Sequence, residues 1–147
     1  VFFVSMGGFD SHDAQNRTLA DLMARLSHAL EYFDSVLGAN RSQVTLFTAS
    51  DFGRTYRSNG DGSDHGWGNH QLIVGGAVKG GDIYGRMPTF AINGPDDTGR
   101  GRWIPTTSVD EYSATLAKWF GVSATDLPTV LPNIGRFAKP DLGFMGA

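Results

Sequence analysis

Cysteine is absent from this chain of 147 residues. Disulfides and thiolate metal ligands are thereby excluded, but the compartment stays open, because many exported proteins also lack cysteine. No apolar run approaches the roughly 20 residues that span a bilayer, and no signal-peptide pattern is present. There is no run of basic residues either. Twelve Lys and Arg against fifteen Asp and Glu leave a net charge of −3, which offers no electrostatic case for nucleic acid as a partner. What is present suits a globular domain: 40% of residues are apolar and 18% charged. The length is enough for one domain with a real core.

The chain opens on "VFFVSM", a continuous apolar run followed by Gly7-Gly8. The pattern predicts a strand buried on both faces, as in a parallel sheet. Opening in mid-strand, it reads as the C-terminal portion of a longer domain, residues 1–147. Over residues 17–37 the apolar positions Leu19, Leu22, Met23, Leu26, Leu30, Phe33 and Leu37 step by threes and fours. That predicts an amphipathic helix, with Gly38 as its C-terminal cap. A second buried strand is expected over 44–49, "VTLFTA", which makes residues 1–49 a βαβ unit with a right-handed crossover. "QLIVGGAV", 71–78, reads as a third strand and "KGGDIYGRMPTFAING" as turns with a short strand or hairpin. Ser108 and Glu111 have the spacing of a capping box, opening a helix through Tyr112, Leu116 and Phe120 that stops at Gly121. The tail from Leu127 is rich in Pro and Gly and is expected to dock by its scattered large apolar side chains. The fold class expected from these elements is α/β, with a mostly parallel sheet and flanking helices.

Between the second and third strands lies "FTASDFGRTYRSNGDGSDHGWGNH", residues 47–70, polar and rich in glycine. A connection this long in a compact domain is commonly functional. In open α/β sheets ligands bind at the carboxyl ends of strands, which is where Asp10 and His12 follow the first strand and Asp51 follows the second. Asp64 and His65 can fold back over the same edge. Carboxylates and neutral imidazoles together are the ligand set of a Zn²⁺ or Mn²⁺ ion, with Ca²⁺ or Mg²⁺ as alternatives. Each residue also has a plain structural reading. Asp10 and Asp51 are able to cap turns, His12 alone would be a surface histidine, and His70 a polar residue at the start of a strand. His65, flanked by Gly66, Trp67 and Gly68, sits where backbone approaches a ligand closely. His28 falls opposite the apolar stripe of its helix and is expected in solvent. Arg54 is a candidate clamp for an anionic oxygen, with a surface ion pair as the alternative. Arg57 leans to that alternative. Arg100 and Arg102 are further candidates for lining the cleft. Thr106, Thr107 and Ser108 precede a helix and are better explained as caps than as nucleophiles.

The stretches "GGFDSHDAQ", "TLFTASDFGRT", "SNGDGSDHGWGNH", "GGAVKGGDIYG" and "GPDDTGRGRWIPTTSVDEY" resemble the C-terminal part of an uncharacterised bacterial family, domain of unknown function fifteen-oh-one. That family is itself similar to the alkaline phosphatase and sulfatase superfamily, and its members are commonly exported. The resemblance covers nearly the whole chain. It implies a partial alkaline-phosphatase-like three-layer sandwich, an exported or periplasmic protein, and metal-dependent hydrolysis of a small phosphate or sulfate ester. A catalytically degenerate binding or scaffolding domain of the same fold is the alternative. Carried over by position, Asp10 and His12 resemble the first ligand pair, His65 the later histidine, and Asp51 the aspartate of a second pair. The residue after Asp51 is Phe52 where the superfamily has histidine, which puts a second metal in doubt, and the nucleophile would lie outside this chain. A truncated sheet would expose an edge and an apolar face, so self-association is a further expectation.

Overall fold

A computed structural model describes residues 1–146. The elements in chain order are helix α1 (Gln15–Leu37), a 3₁₀ turn (Gly38–Gln43), strands β1 (Thr45–Phe47), β2 (Gly53–Ser58), β3 (Ser63–Gly66) and β4 (Ile73–Gly75), helices α2 (Val109–Phe120) and α3 (Leu127–Val130), and a last 3₁₀ turn (Ile134–Arg136). The chain separates into two compact units. One comprises Val1–Gly38, Ser50–His70 and Thr89–Ile104. The other comprises Ala39–Ala49, Gln71–Pro88 and the residues from Pro105 on.

The expected α/β three-layer sandwich with a mostly parallel sheet is not what forms. The described residues hold two separate two-stranded sheets, β1 with β4 and β2 with β3, and both pairs are antiparallel. Residues 1–6 form no strand, and Val1, Phe2, Phe3 and Val4 are each at least 90% exposed. A strand buried on both faces needs partners along both edges to take up its backbone N–H and C=O groups. Among the described residues no strand flanks this segment, so the apolar run stays extended and uncovered. Without a first strand there is no βαβ unit and no right-handed crossover. The third expected strand contracts to Ile73–Gly75, and residues 79–94 are turns with no strand.

Residues 47–70 also differ from the expectation. They do not form one long loop: β2 and β3 make a hairpin. Asn59-Gly60 sits at its turn, with Gly60 at φ +121°, and that dipeptide between two short runs is a hairpin signal. Asn59 closes the turn, its side-chain oxygen accepting from the Gly62 N–H at 2.9 Å while its own N–H donates to the Gly62 carbonyl at 3.1 Å.

In the first unit α1 begins at Gln15 and its C-cap is Gly38, close to the expected bounds. Leu22 is its one buried residue, while Leu19, Met23 and Phe33 remain exposed. The stripe that predicts the helix is therefore only partly covered, with Leu26, Leu30 and Leu37 half-buried. No helix there is long and apolar enough to cross a membrane.

In the second unit α2 follows its sequence signals closely. Ser108 accepts from the Glu111 N–H, the Glu111 carboxylate accepts from the Ser108 N–H, and Gly121 caps the end at φ 107°. Ala114 on this helix packs with Leu127 and Ile134, with Ala117, Val122, Leu131 and Phe137 around them. The Pro- and Gly-rich tail thus does dock by its apolar side chains, and Phe144 is 1% exposed. The rings of Tyr84 and Tyr112 each stand 5.8 Å from Phe144. Tyr112 donates to the Thr48 carbonyl at 3.1 Å, and burial pushes its phenol up to about 12. The folded state therefore favours the neutral phenol. This contribution to stability is complete below the ordinary tyrosine range, about 10, and is lost as pH rises towards 12. In an ultraviolet phenolate titration of the four tyrosines, one is expected to ionise last, near the onset of alkaline unfolding. Tyr112→Phe is expected to remove that late step.

Candidate metal centre

The first unit brings three of the residues singled out in the sequence to one place. Asp10, His12 and His65 each offer one ligand atom, and these atoms all lie within 4.8 Å of one another. The Asp10 Oδ1 atom is the common point, 2.7 Å from His65 Nε2 and 3.2 Å from His12 Nε2. Their side chains are 66%, 46% and 44% exposed for Asp10, His12 and His65, so the group faces solvent. The hydrogen bond from His65, helped by the charge of both imidazoles and by His12, holds the Asp10 carboxyl below the usual carboxylate range against an opposing desolvation.

The hairpin positions His65. It lies on β3 opposite Arg54 of β2, with Gly53 opposite Gly66 one step along. An aromatic platform supports its ring. Phe52 stacks on it with centroids 4.1 Å apart and planes 11° apart, and the His12 ring stacks at 5.0 Å and 23°. The Arg54 guanidinium sits 5.0 Å above the Phe52 ring. Phe52 thus serves as a stacking partner that orients the His65 ring.

The loop bearing Asp10 and His12 is tied to the hairpin along its length. Arg54 donates from one terminal nitrogen to the Ser63 carbonyl at 2.8 Å and from the other to the Phe9 carbonyl, next to Asp10. Asn59 donates to the His12 carbonyl at 3.0 Å. Asp61 accepts from the Ala14 N–H at 2.9 Å, and the Ser63 hydroxyl donates to Gln15 Oε1 at 2.7 Å. Ala14 is held at φ 47°, in the left-handed region. A residue without glycine's freedom stays there only when its surroundings over-determine it. The close fit shows at Gly62 as well, where an added Cβ would stand 2.4 Å from the His12 carbonyl oxygen.

Asp51 is exposed, in the bend before β2, and is not one of the three grouped ligands. Arg54 uses both terminal nitrogens on backbone carbonyls, in the place where the sequence suggested an anion clamp. The sequence places Asp64 with His65 over the same edge, but not as a ligand pair, because no strand is expected before it. It lies on β3 with Oδ1 3.8 Å from His12 Nδ1 and Oδ2 2.9 Å from Arg100 Nη1.

The donor set fits a divalent cation of the zinc type. Ligands at about 2.0–2.1 Å around a tetrahedral ion place donor atoms roughly 3.3 Å apart; the two pairs that share Asp10 stand at 2.7 and 3.2 Å, and the third pair, between the imidazoles, lies within 4.8 Å. Three protein ligands with an exposed side is the pattern of a site with a free coordination position, in contrast to a closed structural site.

The model of the family described as "Protein of unknown function (DUF1501)" matches residues 1–126. The chain belongs to that family. The matched span contains Asp10, His12, Arg54, Asp64, His65 and Arg100, so the whole cluster is DUF1501 sequence. No curated protein and no solved structure gives a significant match, and the likeness to the alkaline phosphatase and sulfatase superfamily gains no support from either comparison.

Proposed function

We propose that this DUF1501 chain binds one divalent cation through Asp10, His12 and His65 and uses it to act on a small anionic ester, a phosphate or a sulfate. The convergence of two Nε2 atoms on one carboxylate oxygen is the observation that carries this reading. Two imidazoles and one carboxylate favour Zn²⁺ or Mn²⁺ over Ca²⁺ and Mg²⁺, which prefer oxygen donors alone. When bound, such a cation polarises an ester oxygen and lowers the pKa of water beside it. The chain's own part is to bind and orient. Asp10 supplies the charge, His65 is held flat against Phe52, and Arg54 fastens the Asp10 loop to the hairpin. Arg100, its guanidinium nearly half exposed, stands on the Asp64 side of the group, where an anionic substrate oxygen gains a cationic neighbour.

The test is turnover of aryl phosphate and aryl sulfate by the full-length protein that carries this chain, after loading with Zn²⁺ or Mn²⁺, since the nucleophile is not among these residues. Hydrolysis that needs the metal and is lost in His65→Ala is expected. Metal bound in stoichiometric amount with no hydrolysis of either ester would reduce the function to cation binding, the scaffolding alternative.

A further inference from the structure

The metal reading leaves unexplained a backbone conformation near the site. Arg100 sits at φ 63°, in the left-handed region that is strained for a non-glycine residue. Asparagine tolerates that region and arginine does not especially, so something holds Arg100 there. Asp97 does so from within the loop. Its Oδ1 atom accepts from the N–H groups of Gly99, Gly101 and Arg102 at 2.8, 2.9 and 3.1 Å, and its Oδ2 atom from Asn93 at 2.9 Å. The Arg100 carbonyl accepts from the Arg57 N–H of β2 at 3.2 Å. The result aims the guanidinium at Asp64 Oδ2, 2.9 Å away, and the other oxygen of Asp64 faces Nδ1 of His12.

We propose that Asp64 and Arg100 are positioning residues for His12: Arg100 fixes the Asp64 carboxylate on the Nδ1 side of the ring, which keeps Nε2 free as a metal ligand. This rests on the cation site proposed above. A neutral imidazole carries its one proton on either nitrogen. His12 lies between two carboxylates, Asp10 Oδ1 3.2 Å from Nε2 and Asp64 Oδ1 3.8 Å from Nδ1; once Asp10 is engaged by a cation, Asp64 is the carboxylate left to hold the proton on Nδ1, which leaves the Nε2 lone pair for the metal and raises its basicity, as outer partners of metal-bound histidines do. The 3.8 Å separation is ion-pair distance. Asn59 steadies the same carboxylate from the hairpin turn, at 3.4 Å from Asp64 Oδ1. The strained loop then has a purpose, since the left-handed Arg100 delivers a guanidinium to the outer layer of the site.

The experiment is Zn²⁺ affinity by chelator competition, together with the visible spectrum of the Co²⁺-loaded chain and the thermal midpoint. It compares wild type, Asp64→Asn, Arg100→Gly and Arg100→Lys. Asp64→Asn is expected to weaken Zn²⁺ binding roughly 10–100-fold and to shift the Co²⁺ bands. Arg100→Gly relieves the left-handed strain while removing the guanidinium. Affinity is therefore expected to fall, by about 10-fold, while the thermal midpoint stays level or rises. Arg100→Lys keeps the charge and is expected to recover part of the affinity. Affinities of Asp64→Asn and Arg100→Gly within about twofold of wild type, well inside the loss expected for an outer partner, would overturn the proposal while leaving the metal site standing. So would affinity losses that merely follow lowered midpoints. A wild-type chain that binds no Zn²⁺ would remove the metal site and this inference with it.

Discussion

Asp10→Ala is expected to lower Zn²⁺ affinity by more than the roughly 100-fold that outer-sphere changes reach, while the chain stays folded. Asp10 is the one anion among the three ligands, and its Oδ1 atom is the point on which both imidazoles converge. Removing it leaves two stacked histidines with no charge between them. The carboxylate is also exposed and accepts only from those two rings among the bonds that shape the loop. The ties that hold the loop run through Phe9, His12, Ala14 and Gln15, and all survive the substitution. Chelator competition measures the affinity, and circular dichroism establishes that the fold is kept. Wild-type affinity in Asp10→Ala would place the cation elsewhere.

Gly53→Ala is expected to cost about 3 kcal/mol or more of stability, at the upper end of what overpacking a well-fitted site costs. An added Cβ at Gly53 would stand 1.7 Å from the Gly68 carbonyl oxygen and 2.6 Å from its carbon. Those atoms are backbone, so no side-chain rotation relieves the clash. The hairpin must splay at the end where Gly53 faces Gly66, next to His65. Metal affinity should therefore fall along with the urea midpoint. Gly7→Ala is the control: nothing lies within 4 Å of an added Cβ there, so it should fall within the roughly 0.5 kcal/mol of an ordinary surface change. Equal midpoints for the two variants would mean that β2 and the segment after β3 do not approach as described.

The sequence carried local structure well and pairing poorly, for a physical reason. Helix α2 was legible from Ser108, Glu111 and Gly121 because caps act within one turn of chain. Helix α1 was legible from the spacing of its leucines. Strands differ, because an apolar run reports a tendency to be buried and says nothing about which backbone will accept its hydrogen bonds. Val1–Val4 carry that tendency and find no partner among the described residues, while Gly53–Ser58, far less apolar, pair because Asn59-Gly60 turns the chain back on itself. The parallel α/β sheet was inferred from the first kind of signal and overturned by the second. The grouping of Asp10, His12 and His65 was reached through that mistaken sheet edge, yet the group forms by another route, a loop strapped to a hairpin. Asp64 was placed near the site but on a loop, and the strand that carries it was not legible. Arg100 entered the sequence reading only as a cleft residue, since its link to Asp64 depends on a left-handed backbone that no residue pattern announces.

The most direct measurement is X-ray absorption at the zinc edge on the Zn²⁺-loaded chain. The account predicts one Zn²⁺ per chain with two imidazole nitrogens and carboxylate oxygen at about 2.0–2.2 Å, and one imidazole fewer in His65→Ala. A shell of oxygen alone, or two imidazoles that persist in His65→Ala, would contradict it.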